Sequence, residues 1–293
     1  MDAPSIDQVR RFNRTTTERV GALNDRFLGR DLSLGEARLL WEIGEGGARS
    51  RELGRRLGLD SAHARRLLRS LEKRGLIVVK EDETDKGNSA IKLTQSGLQE
   101  RAELDGRADA FARSLLEPLT DAQRGKLLAA MAQVERLLVA SMVRVTVADP
   151  TSKDARWCIE EYLAELDERF DTGFDPSRSS SADPHELTPP AGLLLVARLR
   201  EEPVGCGAVK FHGNAVGELK RMWVAPEMRG LGVGRRLLLA LEESARGAGM
   251  KVLRLETHRA LSEAIELYRR SGYLEVGRFS DDPYADHWFE KRL

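Results

Sequence analysis

Between Val224 and Arg235 the chain reads Val-Ala-Pro-Glu-Met-Arg-Gly-Leu-Gly-Val-Gly-Arg. Glu218 to Val224, just before this turn, has the period of a strand, and Val233 to Gly247, just after it, has the period of a helix. Glycines at such a junction let backbone N–H groups at the helix start approach a phosphate, since no side chain stands in the way. A tight connection without a ligand would use glycines as well. Arg229 and Arg235 add positive charge to the turn. The pattern is not a Rossmann fingerprint, because the strand arrives from a meander and opens no βαβ unit, and no Lys-Ser or Lys-Thr pair follows.

A chain of 293 residues has room for two compact units. Hydrophobic residues make up 41% and charged residues 32%, a balance suited to globular cores. Met1 to Arg11 holds no apolar run fit for a signal peptide, and no stretch approaches the ~18 apolar residues of a membrane span. A cytoplasmic protein without a membrane partner is expected. Cys158 and Cys206 lack metal-ligand or redox-motif spacing, so no metal site is expected and both read as small buried hydrophobes.

In the amino-terminal half, Val9, Phe12, Val20, Leu23 and Phe27 predict a long helix from Ile6 to Leu28, interrupted at Asn13 to Thr17. A second helix, Leu34 to Ile43, is stopped by Gly44, Gly46 and Gly47. Arg49 to Leu57 and Ser61 to Arg74 then read as two helices around the turn Gly58-Leu59-Asp60. In the second of these Ala64, Leu67, Leu68 and Leu71 share one face, which leaves His63, Arg65, Arg66, Arg69 and Lys73 on the others. Helix, tight turn and basic helix form a helix-turn-helix. From Arg49 to Lys80 there are ten Lys or Arg residues against three acids, Glu52, Asp60 and Glu72. Such a segment is either a solvated helix face or a footprint for nucleic acid. Strands at Leu76 to Lys80 and Ala90 to Leu93, around the polar turn Glu81 to Ser89, make a wing that Ser96-Gly97 closes. Helices at Leu98 to Leu116 and Asp121 to Ala140 complete a domain of residues 1–140.

Past Ser141 the period changes, with Val143, Val145 and Val147 alternating with Arg144 and Thr146 as in a strand. The second domain, residues 141–293, continues with a helix at Ser152 to Phe170 and roughly twenty residues rich in Ser, Asp and Pro, either a mobile lid or a disordered loop. Strands follow at Leu193 to Leu199, Val204 to His212 and Glu218 to Val224, then a helix at Val233 to Gly247. A strand at Val252 to Glu256, a helix at Ser262 to Ser271 and terminal strands end the chain. The order predicts an α+β domain around one mixed sheet.

The motif Arg229-x-x-Gly232-x-Gly234, the strand Glu218 to Pro226 before it, and the run Ala264-Ile265-Glu266-Leu267-Tyr268-Arg269-Arg270-Ser271-Gly272-Tyr273 resemble the GNAT superfamily of N-acetyltransferases. The resemblance covers about 150 residues. It implies an α+β GNAT fold with a mixed, mostly antiparallel sheet, acetyl-CoA as cosubstrate, no metal, and a small-molecule amine as acceptor. The pantetheine arm would pair with backbone at Met222, Trp223 and Val224. The pyrophosphate would lie on Arg229, Gly230, Leu231, Gly232, Val233, Gly234 and Arg235. Transfer needs a neutral amine, a polarised thioester carbonyl and a proton for the departing thiolate. Tyr268 matches the family position that supplies this proton, its alternative role being an aromatic packed between helix and sheet. Glu218 stands where a carboxylate takes the amine proton, often through water, or else makes a strand-end ion pair. His258 replaces a frequent Asn and would be an alternative base, a cofactor hydrogen bond or a structural residue. Lys220 and Arg221, with His287 near the end, would shape the acceptor site, and their charge suits a carboxylate-bearing amine such as an amino acid.

The order helix, helix, helix-turn-helix, wing, two helices resembles the MarR family of transcription regulators, most tellingly at Leu71-Glu72-Lys73-Arg74-Gly75-Leu76-Ile77 and Lys92-Leu93-Thr94-Gln95-Ser96-Gly97. This implies a mainly α winged helix-turn-helix domain that forms a homodimer through its first and last two helices and binds double-stranded DNA. His63, Arg65, Arg66 and Arg69 would contact the major groove, with Lys86 in the wing. Where the family commonly has Asp-x-Arg at the wing tip, this chain reads Asp85-Lys86-Gly87 beside Glu81, Asp82 and Glu83. The missing Arg and the neighbouring acids weaken the expected contact with the DNA backbone. Three readings stand at this point: an enzyme whose other half binds DNA, a regulator whose transferase half only senses acetyl-CoA or an amine, and an enzyme whose winged-helix half is only a dimerisation scaffold.

Overall fold

In a computed structural model the described residues are 2–21, 26–81, 88–179 and 182–293. They fall into two units, Met1–Ala129 and Ala130–Leu293. The first begins with α1 (Ala3–Arg19), none of whose residues is buried. The interruption expected at Asn13 to Thr17 does not occur. Thr17 donates its hydroxyl to the Asn13 carbonyl at 2.7 Å, a bond within the helix that removes its competition with the backbone. The helix also ends at Arg19, short of the expected Leu28, and Phe27–Gly29 form a separate 3-10 turn with Leu28 at φ +52°.

α2 (Leu34–Ile43) starts at a capping box in which the Ser33 N–H donates to Glu36 at 2.8 Å and the Ser33 hydroxyl accepts the Glu36 N–H at 3.3 Å. Next come β1 (Ala48–Arg49), α3 (Ser50–Leu57) and α4 (Ser61–Lys73). Gly58, at φ +63°, ends α3, and the Asp60 carboxylate caps α4 by accepting from Ala62 and His63 N–H at 3.0 and 2.9 Å. β2 (Ile77–Lys80) and β3 (Ala90–Leu93) pair antiparallel from Ile77↔Leu93 to Lys80↔Ala90, and β1 adds to the other edge of β3. α5 (Gln95–Leu116) begins earlier than its apolar period, because Thr94 accepts the Gly97 N–H at 3.0 Å. Ser96-Gly97 therefore open this helix and do not close the wing. α6 (Asp121–Ser141) follows, its residues from Ala130 onward belonging to the second unit. Leu39, Leu40, Ile43, Leu53, Leu71, Ile77, Ile91 and Leu104 form the core of this unit. Its one buried charge, among the described residues, is Glu36, which accepts the Ser70 hydroxyl at 2.5 Å and so joins α2 to α4.

The second unit contains β4 (Arg144–Ala148), α7 (Lys153–Arg169), β5 (Gly192–Leu199), β6 (Glu202–His212), β7 (Val216–Val224), α8 (Val233–Gly247), β8 (Val252–Thr257), α9 (Ser262–Arg270), β9 (Leu274–Glu275) and β10 (His287–Arg292). The sheet order is β4-β5-β6-β7-β8-β10-β9, with every pair antiparallel save β7 and β8. α7 and α8 cover opposite faces. A Cβ at Gly205 or Gly207 would meet Leu237 or Leu241 of α8, whereas the side chain of Cys206 between them lies against Cys158 of α7. The described part of the Ser- and Pro-rich segment is packed, not disordered. It forms 3-10 turns at Pro176–Arg178 and Pro184–Leu187, buries Leu187, and donates the Ser179 hydroxyl to Asp282 at 2.7 Å. No helix among the described residues is long and apolar enough to cross a membrane.

Candidate functional site

The parallel pair β7 and β8 is joined only from Val216↔Val252 to Glu218↔Arg254, although β7 runs on to Val224 and β8 to Thr257. Beyond Glu218 the two strands separate. Two cavities occupy this region, one of about 630 Å³ running from β7 to the glycine turn and α9, and one of about 90 Å³ on the side of His258 and Tyr284.

The larger cleft is lined by Met222, Trp223, Val224, Arg229, Gly230, Gly232, Val233, Gly234 and Arg235. Leu231 alone among the predicted cofactor residues falls outside this lining, and it packs half-buried against the core. Gly230 and Gly232 sit at φ +73° and +80°, and a Cβ on either would project into open space. The first helical bond of α8 runs from the Arg236 N–H to the Gly232 carbonyl at 3.0 Å. The N–H groups of Val233, Gly234 and Arg235 therefore precede any i−4 carbonyl, and the helix presents donors and its positive dipole end to the cleft. This arrangement fits a diphosphate.

One face of α7 completes the cleft. Tyr162, Glu165, Leu166 and Arg169 follow at i, i+3, i+4 and i+7, a stripe the sequence carries plainly but whose polar members disguise it. The Glu165 carboxylate accepts from Trp223 Nε1 at 2.9 Å, from Arg169 at 3.0 Å and from the Arg229 guanidinium. Arg229 also donates to the Val224 carbonyl at 2.9 Å. Its charge thus binds the glycine turn to α7. Burial acts to raise the Glu165 carboxyl, yet Arg229 and Arg169 hold it below the ordinary carboxylate range.

Tyr268 of α9 lines both cavities, as do Tyr162, Leu166, Met222, Leu261 and Ala264. It is 5% exposed, and burial, reinforced by Tyr162, pushes its phenol well above the ordinary value and keeps it protonated. The smaller cavity also receives Lys220, Arg221, Glu256, His258 and Asp282. Lys220 donates to Glu218 and Glu256 at 2.8 Å each, and His212 lies 2.8 Å from the other Glu218 oxygen. Glu218 itself lies outside both linings, held below its ordinary value against burial by Lys220, His212 and Arg254. His258 stacks on Phe170 at 3.9 Å, accepts the Ala260 N–H on Nδ1 at 3.1 Å and places Nε2 3.5 Å from Asp286. Burial depresses its basicity, and with Nδ1 occupied the neutral ring carries its proton on Nε2. His287 is outside both linings and pairs with Glu275 at 2.6 Å.

In the amino-terminal unit Arg65, Arg66 and Arg69 are exposed on α4 and His63 is half-buried there. Lys86 lies outside the described residues.

Residues 158–273 match the family model described as the acetyltransferase (GNAT) family, and residues 30–86 match that of the MarR family. The chain is 37% identical over 146 residues to an IAA acetyltransferase from Azospirillum brasilense, covering 49% of this chain and 92% of that protein. It is 32% identical over 143 residues to the N-alpha-acetyltransferase RimI of Mycobacterium tuberculosis, over 48% of this chain and 85% of that one. A solved GNAT-family acetyltransferase from Staphylococcus aureus superposes with a TM-score of 0.45 at 16% identity, over 52% of this chain and 99% of that one.

Proposed function

The chain belongs to the GNAT acetyltransferase family through its carboxy-terminal half and carries a MarR-family domain in its amino-terminal half, and from that premise we propose an acetyl-CoA-dependent N-acetyltransferase of a small amine, residues 141–293, fused to a dimeric DNA-binding module, residues 1–140. One observation carries the enzymatic reading: a long cleft with a diphosphate-fitting end meets a small charged cavity at the protonated phenol of Tyr268.

Bound acetyl-CoA supplies an activated acetyl group and a thiol leaving group. Val233, Gly234 and Arg235 hold its diphosphate with their N–H groups, and the opened edge of β7 at Met222 to Val224 takes the pantetheine arm. Tyr268, whose burial keeps its phenol protonated, gives its proton to the departing sulfur as the basic thiolate forms. Glu218 lies behind Lys220, whose ammonium has no lone pair to take a proton, so the Glu256 carboxylate on the cavity lining accepts the amine proton and passes it to solvent. His258 serves as a wall of the acceptor cavity. Thiol release from acetyl-CoA over a panel of amines tests the reading. Tyr268→Phe should lower turnover by about 10²- to 10⁴-fold with acetyl-CoA affinity retained. An unchanged rate removes Tyr268 as the acid, and no thiol release with any amine favours a sensor.

The exposed Arg65, Arg66 and Arg69 support DNA binding by α4. Gel-shift affinity should fall steeply with salt, as phosphate contacts require; a flat response would leave the scaffold reading. Ile6, Val9 and Phe12 on α1 and Leu127, Leu128 and Met131 on α6 are exposed apolar side chains that support a homodimer. Sedimentation of the full chain at micromolar concentration measures it.

A further inference from the structure

Resting on the transferase reading above, we infer that Arg221 anchors an acid group of the acceptor, so that the substrates are small aliphatic amines carrying a carboxylate or a phosphonate. The smaller cavity receives two cations and two carboxylates, and three of these four are engaged. Lys220 is shared between Glu218 and Glu256 at 2.8 Å each. Asp282 accepts from the Ser179 hydroxyl at 2.7 Å and the Tyr284 N–H at 2.9 Å. Arg221 differs. Among the described residues its guanidinium has no carboxylate partner, and it lies 5.9 Å from the centre of the Tyr162 ring, on the lining of the cavity.

The backbone is bent to bring it there. Lys220, Arg221 and Met222 are consecutive strand residues, and a regular strand would turn Arg221 to the opposite face from its neighbours. All three line the cavity. The register of β6 and β7 jumps from Cys206↔Trp223 to Ala208↔Lys220, so Arg221 and Met222 together face Gly207. That is a bulge, and Arg221 adopts φ +57° in it. A left-handed conformation in a strand is unfavourable for any residue with a Cβ. The Cys206 thiol holds the turn by donating to the Arg221 carbonyl at 3.2 Å. Gly207 makes room for it, since a Cβ there would fall 2.6 Å from Met222 Sδ.

A planar guanidinium recognises carboxylate and phosphonate alike through paired N–H donors. The space beside Arg221 is about 90 Å³ and shares Tyr162, Met222 and Tyr268 with the larger cleft. A short aliphatic body fits.

Thiol release is measured with the full chain for glycine, β-alanine and aminomethylphosphonate, each against a neutral counterpart (glycinamide, β-alaninamide, methylamine). The expected result is at least a tenfold higher kcat/KM for the acids, the faster of the carboxylate and phosphonate arms identifying the group. Arg221→Gly accepts the left-handed backbone without strain. It should raise KM for the acids by about 10- to 100-fold and bring the ratio of acid to neutral amine near one, with acetyl-CoA affinity and Tm retained. Arg221→Lys should restore part of the preference. Turnover of neutral amines in preference to acids, or a ratio untouched in Arg221→Gly, overturns the assignment and leaves the transferase standing. Absence of thiol release with every amine overturns both.

Discussion

Replacing Glu165 by Gln tests whether the glycine turn is positioned from α7. The carboxylate accepts three hydrogen bonds, two of them from guanidinium groups, and its side chain is 18% exposed. A glutamine keeps the volume but offers one oxygen, and its NH2 must face a donor, either Arg169 or the pair Arg229 and Trp223. At least one charge-assisted bond is lost, worth about 1.5–3 kcal/mol. If the whole loss falls on ordering the turn, acetyl-CoA affinity drops by about 10- to 150-fold, read by calorimetric titration. The remainder would appear as a lower Tm. Because the folded carboxyl titrates below its ordinary value, its stabilisation is complete above the unfolded pKa of about 4.3 and is lost as pH falls through the lower folded value. The gap in Tm between wild type and Glu165→Gln should therefore close in acid. Equal acetyl-CoA affinity and equal Tm at neutral pH would refute the positioning role.

Gly232→Ala adds a Cβ at φ +80° on the cleft lining and should raise KM for acetyl-CoA, with strain of about 1–2 kcal/mol; an unaltered KM would mean that the diphosphate lies elsewhere. Lys291→Met leaves the Glu242 carboxylate, 1% exposed and 2.8 Å from the lysine, with Arg246 at 3.7 Å and the Tyr273 phenol beside it. A loss of about 3 kcal/mol, or a Tm lower by roughly 6–12 °C, is expected, and a neutral outcome by thermal melting would show that Arg246 suffices. Glu36→Gln should destabilise the amino-terminal unit by about 1–2 kcal/mol. Burial acts to raise the Glu36 carboxyl, but Ser70, Ser33 and Arg74 hold it below its ordinary value. The effect should thus be full at neutral pH and fade as pH drops through the folded pKa, measured by chemical denaturation at several pH values.

Elements whose apolar period continues to a cap were legible in the sequence: α2 and α8 span the predicted residues, as does β3. Ends governed by a side-chain hydrogen bond were not. Thr94 starts α5 before any apolar residue signals a helix, and Thr17 carries α1 through a polar run read as a break. In the site, the glycine turn and Tyr268 were legible because backbone freedom and a motif fix them locally. Glu165 was not, since its partners Trp223 and Arg229 lie 58 and 64 residues away and a glutamate on a helix face usually meets only water.

The charges of the acceptor site show how far residue type alone can mislead. Lys220, Arg221 and His287 stood together in the sequence as acceptor-site candidates, two cations and a histidine. Strand pairing separates them: Glu256, on the neighbouring β8, comes within reach of Lys220 and helps to neutralise it, and His287 on β10 meets Glu275 of β9. Arg221 escapes the same fate through the bulge, which no alternating pattern announces, because an extra residue in a strand reads as one more position in the sequence. The sequence trace that exists is indirect: Gly205 and Gly207 flank Cys206 in a strand where bulky residues would otherwise be favoured. Two glycines in an otherwise apolar strand mark close backbone approach, and here the approach is of Met222 and α8 to the sheet. The position of a strand's glycines therefore told more about the acceptor site than the position of its charges.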